Sequence, residues 1–229
     1  MNNKSLTKLK KIVSESYQLT AEHFSNTRSK IAAPDFVWAA SQVKVDDYVL
    51  DAGCGNGRLL DYIKTSPDKY LGIDQSQALV EIAQQLHPEY SFNNFDLQTA
   101  TLPSQKFSLI FCSAVISHVP GVKERKKVLQ SLLAAGKPKA RLLISFWKMN
   151  DKHKNKIYLN LFKKIIGQYN FPLRELVFPW KNAQGEEVCQ RYYHYFTKKS
   201  FQRELKLAGW QIETERDDKH NYWAVAVKT

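Results

Sequence analysis

The sequence predicts an α/β fold: a mostly parallel sheet with helices on both faces, finished by an antiparallel hairpin at the C-terminal end. Three observations predict it. Between residues 48 and 147, short apolar runs of strand character alternate with helix-spaced segments, the rhythm of βαβ units. The first apolar run feeds directly into a glycine-rich turn, Asp51-Ala-Gly-Cys-Gly-Asn-Gly57. Later runs end on Asp74 and Asp96, which sets acids along the carboxyl edge of a parallel sheet, where such folds bind their ligands.

The elements follow in order. Residues 5–24 read as a helical arm, because Leu9, Ile12, Val13, Tyr17 and Ala21 recur at helical spacing. Residues 34–42 read as a second short helix with Pro34 near its start. Tyr48-Val49-Leu50 is the first strand, and residues 58–65, after the glycine turn, read as helical. Residues 69–73 form the second strand. Residues 76–86 form a helix that Ser76 caps, with Pro88 beyond its end. Residues 90–95 form the third strand and 107–114 the fourth. Residues 123–135 are a helix with Val128, Leu129, Leu132 and Leu133 on one face, and 141–147 are the fifth strand. Residues 148–195 break the rhythm. They are rich in Lys, Tyr and Phe and carry Pro172, Pro179 and Gly185, so they are expected to be an insertion over the face that bears the site. Residues 200–208 are the last helix. Residues 210–215 and 223–228, joined by a polar turn, are an antiparallel hairpin, bringing the expected strands to seven. The whole reads as one domain over 1–229: a helical arm (1–44), a ligand-binding core (45–147), the insertion (148–195), and a C-terminal helix and hairpin (196–229).

A chain of 229 residues with 43% hydrophobic and 24% charged residues can bury a full core without staples. The net charge of +12 exceeds what a fold needs and points to a polyanionic partner, nucleic acid or an anionic membrane surface. No apolar run approaches the roughly 18 residues of a membrane-spanning helix, and the lysine-rich residues 1–11 lack the apolar stretch of a secretory signal. The three cysteines, Cys54, Cys112 and Cys189, form no C-x-x-C pair. Neither a disulfide framework nor a metal site is expected, and a reducing cytoplasm fits.

The glycine turn narrows the ligand. Gly53, Gly55 and Gly57 let the backbone turn tightly and approach a bound molecule. A dinucleotide fingerprint runs G-x-G-x-x-G, whereas this turn runs G-x-G-x-G with Asp51 just ahead of it. An acid there suits a ligand without a pyrophosphate and faces the ammonium of a methionine moiety. Asp74 can accept from both ribose hydroxyls, and Asp96 from an adenine amino group. Together they describe S-adenosylmethionine in a Rossmann-like class I methyltransferase fold. Tyr17, Arg28, Cys54, Asn56, Gln75, Leu97 and Ala114 complete the expected cofactor set.

The chain also resembles a family, the tRNA wobble-uridine carboxymethyl methyltransferases, including the module joined to AlkB-type domains in animals. Four stretches carry the likeness: Ala21-Glu-His-Phe-Ser-Asn-Thr-Arg28, Asp51–Gly57, Ala114-Val-Ile-Ser-His118 and Arg191-Tyr-Tyr-His194. Phe178-Pro-Trp180 and Asn221-Tyr-Trp223 fit too. Three departures stand out: Ser29 to Pro34 replaces a Lys-Pro-Trp-type stretch, Ser117-His118 stands where a His pair is usual, and Lys137-Pro-Lys-Ala140 replaces an Arg-Pro-Gly-Gly turn. The resemblance implies S-adenosylmethionine as cofactor and the carboxylate of 5-carboxymethyluridine in a tRNA anticodon stem-loop as methyl acceptor. It also implies a small zinc-binding activator subunit of the kind eukaryotic members use.

A carboxylate is already ionised at pH 7, so such a reaction needs no strong base. It needs positioning, exclusion of water and a cation that holds the acceptor. Arg28 and Arg191 are the candidates, since a guanidinium fork suits a carboxylate; Arg28 can instead grip the cofactor's own carboxylate. His118, just past the fourth strand, can hydrogen-bond the base or the acyl group, and Tyr192, Tyr193 and His194 can wall the pocket. Two other readings stand beside this one: a methyltransferase for a small-molecule acid or amine, and a non-catalytic cofactor-binding scaffold. Lysines and arginines cluster around residues 123–141 (Arg125 and Arg141 among them), at 148–164 among Tyr158, Phe162 and Tyr169, and at 198–206. Such interleaving is expected to bind RNA phosphates and stack on unpaired bases.

Overall fold

Five strands in sequence build the parallel part of the sheet: β1 (Val49–Ala52), β2 (Tyr70–Asp74), β3 (Ser91–Asn94), β4 (Phe107–Ser113) and β5 (Gly136–Trp147). A hairpin of β6 (Glu175–Lys181) and β7 (Glu187–His194) stands apart as a two-stranded sheet. β8 (Trp210–Asp217) and β9 (Asn221–Lys228) return to the main sheet, whose order is β3-β2-β1-β4-β5-β9-β8. Pairings from β3 through β5 are parallel, and β5-β9 and β9-β8 are antiparallel. Seven strands, mostly parallel and ending in an antiparallel hairpin, are what the sequence predicts. The computed structural model describes residues 1–28, 34–148, 151–169, 171–182, 184–218 and 220–228, with the side chains of 22–28, 34, 35 and 151–154 outside that description. Both roles expected of the Arg28 side chain fall among these and lie outside the described residues.

Among the described residues, six α-helices accompany the strands: α1 (Asn3–Arg28), α2 (Pro34–Ala40), α3 (Gln77–Leu86), α4 (Val122–Ala135), α5 (Asp151–Ile165) and α6 (Lys198–Leu207). Strand periodicity divides the core. Leu50, Ala52, Ile110, Cys112, Leu142 and Ile144 belong to one apolar cluster with Val128 and Leu132 of α4 and Phe201 and Leu205 of α6. Their neighbours Val49, Leu109, Phe111, Leu143 and Trp223 belong to the other, with Ala39 of α2 and Val80 and Ala83 of α3. Alternate side chains leave a strand on opposite faces, so one run of buried residues serves two layers. Among the described residues no helix is long and apolar enough to cross a membrane.

Three expectations need correcting. Residues 58–65 do not form an α-helix; only a 3₁₀ turn covers Arg58–Asp61. Gly57 precedes it at φ 79° with no side chain to cap the open N–H groups, so the turn tightens onto the Leu60 N–H to Gly57 carbonyl bond of 3.0 Å. β5 starts at Gly136, ahead of residue 141, across an irregular register with β4. Arg125, expected on a basic surface, is 2% exposed. Its guanidinium donates to both Glu204 oxygens at 2.8 and 2.9 Å and to the Val119 carbonyl at 3.2 Å. Arg141 is likewise engaged, donating to Asp47 at 2.6 Å and to the Gln42 carbonyl at 2.6 Å.

Candidate active site

Two clusters of chemistry-bearing residues meet at the carboxyl edge of the sheet. The first surrounds the turn after β1. Gly53, Gly55 and Gly57 have φ of 82°, 55° and 79°, the left-handed region where a Cβ is costly. A Cβ on Gly53 would also lie 2.1 Å from Val115 Cγ2. The turn is tied to β2, with the Gly53 and Cys54 amides donating to the Ile73 carbonyl at 2.7 and 3.0 Å. The Asp74 carboxylate accepts from the Gly55 amide at 3.0 Å and from the Ser76 amide at 2.9 Å. Ser76 in turn caps α3 by accepting from the Leu79 amide at 3.4 Å. Asp74 thus stands between the glycine turn and a helix N-terminus.

Asp51 lies deeper, 3% exposed. The Tyr70 hydroxyl donates to it at 2.9 Å. Burial raises its pKa to about 7, the Tyr70 bond opposes the rise, and the Asp74 charge adds to it. Burial raises the pKa of Asp74 as well, against its three backbone hydrogen bonds. Among the described residues no cation pairs with either acid. Cys54 and Asn56 are buried in the same turn. The Gln75 carbonyl accepts from the Asn94 side chain at 3.0 Å. Asp96 sits in the loop after β3, accepting from the Gln98 amide at 2.9 Å, and Leu97 packs against the core. Ala114 follows β4 at φ 57°, an unfavourable conformation for a residue with a Cβ. Its amide donates to the Ser145 hydroxyl at 3.0 Å and the Ser145 carbonyl at 3.2 Å.

The second cluster adjoins the first through Val115 and the 3₁₀ turn Ile116–His118. His118 Nε2 lies 2.8 Å from the Tyr17 hydroxyl of α1, and its Nδ1 lies 3.2 Å from the Tyr192 carbonyl of β7. Burial, then the charge of Arg191, lowers the His118 pKa to about 3, so the ring is neutral at physiological pH. Tyr193 faces His118 with ring centroids 4.3 Å apart, lies parallel to Phe178 at 5.4 Å and meets Trp147 at 5.3 Å. The Arg191 guanidinium lies over Tyr17 at 5.7 Å and over Trp180 at 5.6 Å. Its Nε is buried and, among the described residues, has no hydrogen-bond partner. Lys156 of α5 lies over Phe178 at 4.8 Å.

The β6-β7 register explains which side chains arrive here. Leu176 pairs with Tyr193, Phe178 with Arg191 and Trp180 with Cys189, whereas Glu175 pairs with His194 and Val177 with Tyr192. The first set shares one face and the second set the other. Arg191 and Tyr193 therefore reach the cleft, while the Tyr192 and His194 side chains do not join them. The Tyr192 hydroxyl donates to Glu175, and His194 Nδ1 lies 3.1 Å from the same carboxylate. Tyr192 gives the cleft only its carbonyl. Tyr17, expected beside the cofactor residues, meets His118 and Arg191. Trp147, Phe178 and Trp180 were not among the expected catalytic or cofactor residues; the two-residue spacing of Phe178 and Trp180, which sets both on one face of a strand, is the signal that points to the last two.

A left-handed glycine cradle at a sheet's carboxyl edge, with acids at the ends of β1 and β2 that among the described residues lack a cation, fits a ligand bearing ribose and a positive charge. Fold and site together define the class, the S-adenosylmethionine-dependent methyltransferases. The family described as "Methyltransferase domain" matches residues 24–215, and the chain belongs to it. A tRNA (carboxymethyluridine(34)-5-O)-methyltransferase of Schizosaccharomyces pombe is 28% identical over 236 residues, spanning 94% of this chain and 96% of its own. The Mus musculus tRNA (carboxymethyluridine(34)-5-O)-methyltransferase ALKBH8 is 32% identical over 161 residues, spanning 69% of this chain but 23% of that longer protein. Among solved structures, a Burkholderia thailandensis 1,6-didemethyltoxoflavin-N1-methyltransferase, crystallised with bound 1,6-didemethyltoxoflavin and S-adenosylhomocysteine, superposes with a TM-score of 0.67 at 14% identity, over 98% of this chain and 90% of that one.

Proposed function

We propose that this enzyme methylates a carboxylate carried on an unstacked base, the carboxymethyl group of a wobble uridine in tRNA, to its methyl ester. One observation carries the reading: a guanidinium, Arg191, lying over two aromatic rings with a buried Nε that, among the described residues, lacks a partner. An unpaired buried donor is costly, and a planar anion entering the cleft satisfies it. A carboxylate matches the fork geometry of Arg, and the rings of Tyr193, Phe178, Trp147 and Trp180 give a pyrimidine flat surfaces to stack on.

When bound, S-adenosylmethionine supplies a methyl group activated on a sulfonium. The chain's residues do the rest. The turn Gly53–Gly57 and Asp74 hold the nucleoside end, with Asp51 below as the counter-charge for the amino-acid end. Arg191 orients the acceptor carboxylate and keeps it ionised. The neutral His118 and Tyr17 close the wall without adding a cation that repels the sulfonium. An ionised carboxylate attacks directly, so the absence of a strong base from these roles agrees with the chemistry.

The tRNA relatives and the +12 charge support a nucleic-acid substrate. So does α5 beside the cleft, which exposes Tyr158 (72%) and Phe162 (60%) among lysines. Incubating the enzyme with labelled S-adenosylmethionine and tRNA from a strain lacking this gene, then resolving nucleosides by mass spectrometry, tests the proposal. The expected product is a methyl ester on the wobble uridine that mild alkali removes. Label on a ring atom, a ribose or an amine, or no label in tRNA, contradicts it.

A further inference from the structure

A chain of contacts links the buried ionic cluster behind the β6-β7 hairpin to the cleft in front of it. Arg125 Nη1 lies 3.6 Å from Glu175 Oε1, and Arg125 is itself fixed by Glu204 and the Val119 carbonyl. Glu175, 3% exposed, accepts from the Tyr192 hydroxyl. The Tyr192 ring is held among Leu9, Val13 and Val177, so both ends of that side chain are anchored and the backbone at 192 has little freedom. Its carbonyl points the other way, to His118 Nδ1 at 3.2 Å. A carbonyl can only accept, which puts the imidazole proton on Nδ1. Nε2 is then a lone-pair acceptor, and the Tyr17 hydroxyl 2.8 Å away is its donor. With the opposite tautomer, Nδ1 and the Tyr192 carbonyl would face each other as two acceptors.

We propose that Glu175 is a positioning residue for the reaction: by anchoring Tyr192 it makes the Tyr192 carbonyl select the Nδ1–H tautomer of His118, which turns the Tyr17 hydroxyl toward His118 and sets the ring of Tyr17 under Arg191. The same anchor fixes the register at which β7 presents Arg191 on its opposite face. Neither His118 nor Tyr17 then directs an acidic proton at the acceptor carboxylate, since His118 spends its proton on a backbone carbonyl and Tyr17 spends its own on His118. A second-layer carboxylate thus controls a hydrogen-bond polarity in the cleft without touching substrate, as outer partners of histidine ligands do elsewhere.

The test is nitrogen NMR of the histidine rings in the full chain, which has six histidines, with the His118 signals assigned through His118→Asn. The expected wild-type pattern is protonated Nδ1 and bare Nε2. Tyr192→Phe, which keeps the ring and the carbonyl but loses the bond to Glu175, is expected to give a mixed tautomer signature; Glu175→Ala should do the same, and Glu175→Gln should restore the wild-type pattern. The activity arm rests on the proposed tRNA reaction. There, kcat is expected to fall on the order of tenfold to a hundredfold in Tyr192→Phe, the scale set by small misplacements near a reacting group, with S-adenosylmethionine affinity unchanged within about twofold. A wild-type His118 that carries its proton on Nε2 overturns the proposal, and that result needs no variant to fold. A folded Tyr192→Phe with an unaltered His118 spectrum also overturns it. Failure to methylate tRNA leaves the tautomer result standing, so the two readings fail separately.

Discussion

A carboxyl buried beside Tyr70 and near Asp74 does not ionise freely, and Asp51 is held near pH 7 by that burial. A raised folded-state pKa means that its contribution to stability is full below the ordinary carboxylate range and is lost as pH rises through about 7. Asp51→Asn therefore stabilises the cofactor-free protein at pH 8 relative to wild type, by at most about 4 kcal/mol. A bound cation reverses the preference. Wild-type affinity for S-adenosylmethionine is expected to climb with pH toward 8, and its advantage over Asp51→Asn to shrink by up to about tenfold per pH unit as pH falls below 7; calorimetry across that range checks it, and parallel curves for the two proteins count against a cationic neighbour. Arg191→Ala is expected to cost about 2–5 kcal/mol in kcat/KM, the scale for removing one partner of a buried charge pair, with cofactor binding intact. Equal losses in both move Arg191 to the cofactor or to folding. Arg191 and the acids could be named from the sequence, the acids by their place at strand ends beside the glycine turn and Arg191 by the fit of a guanidinium fork to a carboxylate. Tyr192 and His194 were not separable from Arg191 and Tyr193 by residue type; only the strand register separates them.

The hairpin is where element-level reading ran short. Residues 148–195 read only as an insertion, because β6 and β7 set aromatics on one face against His118 and Trp147 and a mixed set on the other, Val177 and the Tyr192 ring against α1 and Glu175 against Arg125. Neither face shows the apolar-in, polar-out contrast that marks a half-buried strand. The parallel core was legible for the opposite reason: β1, most of β4 and residues 142–146 of β5 are buried and read as near-continuous apolar runs. Segment 58–65 misled because its leucines and Ile63 keep a helical spacing while Gly57 denies the helix a cap. Trp180→Ala tests the cleft wall of the hairpin: RNA affinity is expected to fall by about 1–3 kcal/mol, the value of one base–aromatic stack, as read by filter binding, and unchanged affinity removes Trp180 from the substrate face. α6 begins with a capping box in which Thr197 accepts from the Ser200 amide at 3.2 Å. Thr197→Ala is expected to cost about 1 kcal/mol, a Tm fall of about 2–4 °C for a chain of this size, with no change in cofactor binding.

At the scale of the molecule, charge and fold do separate work. Arg125 and Arg141 are each spent against a carboxylate inside the structure. Two such neutral pairs leave the excess of 34 basic over 22 acidic residues, +12, carried by the remaining positions. Lys123, Lys126, Lys139, Lys164, Lys198, Lys199 and Arg203 are exposed. Binding of tRNA is expected to weaken with salt along a log–log slope steeper than about −2, three or more phosphates' worth of released counterions, while a surface that merely solubilises the protein gives a flat line. On the proposed function, charge brings the polyanion to the surface and the cleft decides what is methylated. The two are joined by one claim, that Arg191 selects an ionised acceptor. Single-turnover methylation of an anticodon stem-loop carrying 5-carboxymethyluridine, against the same stem-loop carrying its uncharged carboxamide, measures that claim directly. Transfer to the acid with none to the amide is the predicted result; comparable transfer to both, or to neither when the cofactor is bound, contradicts it.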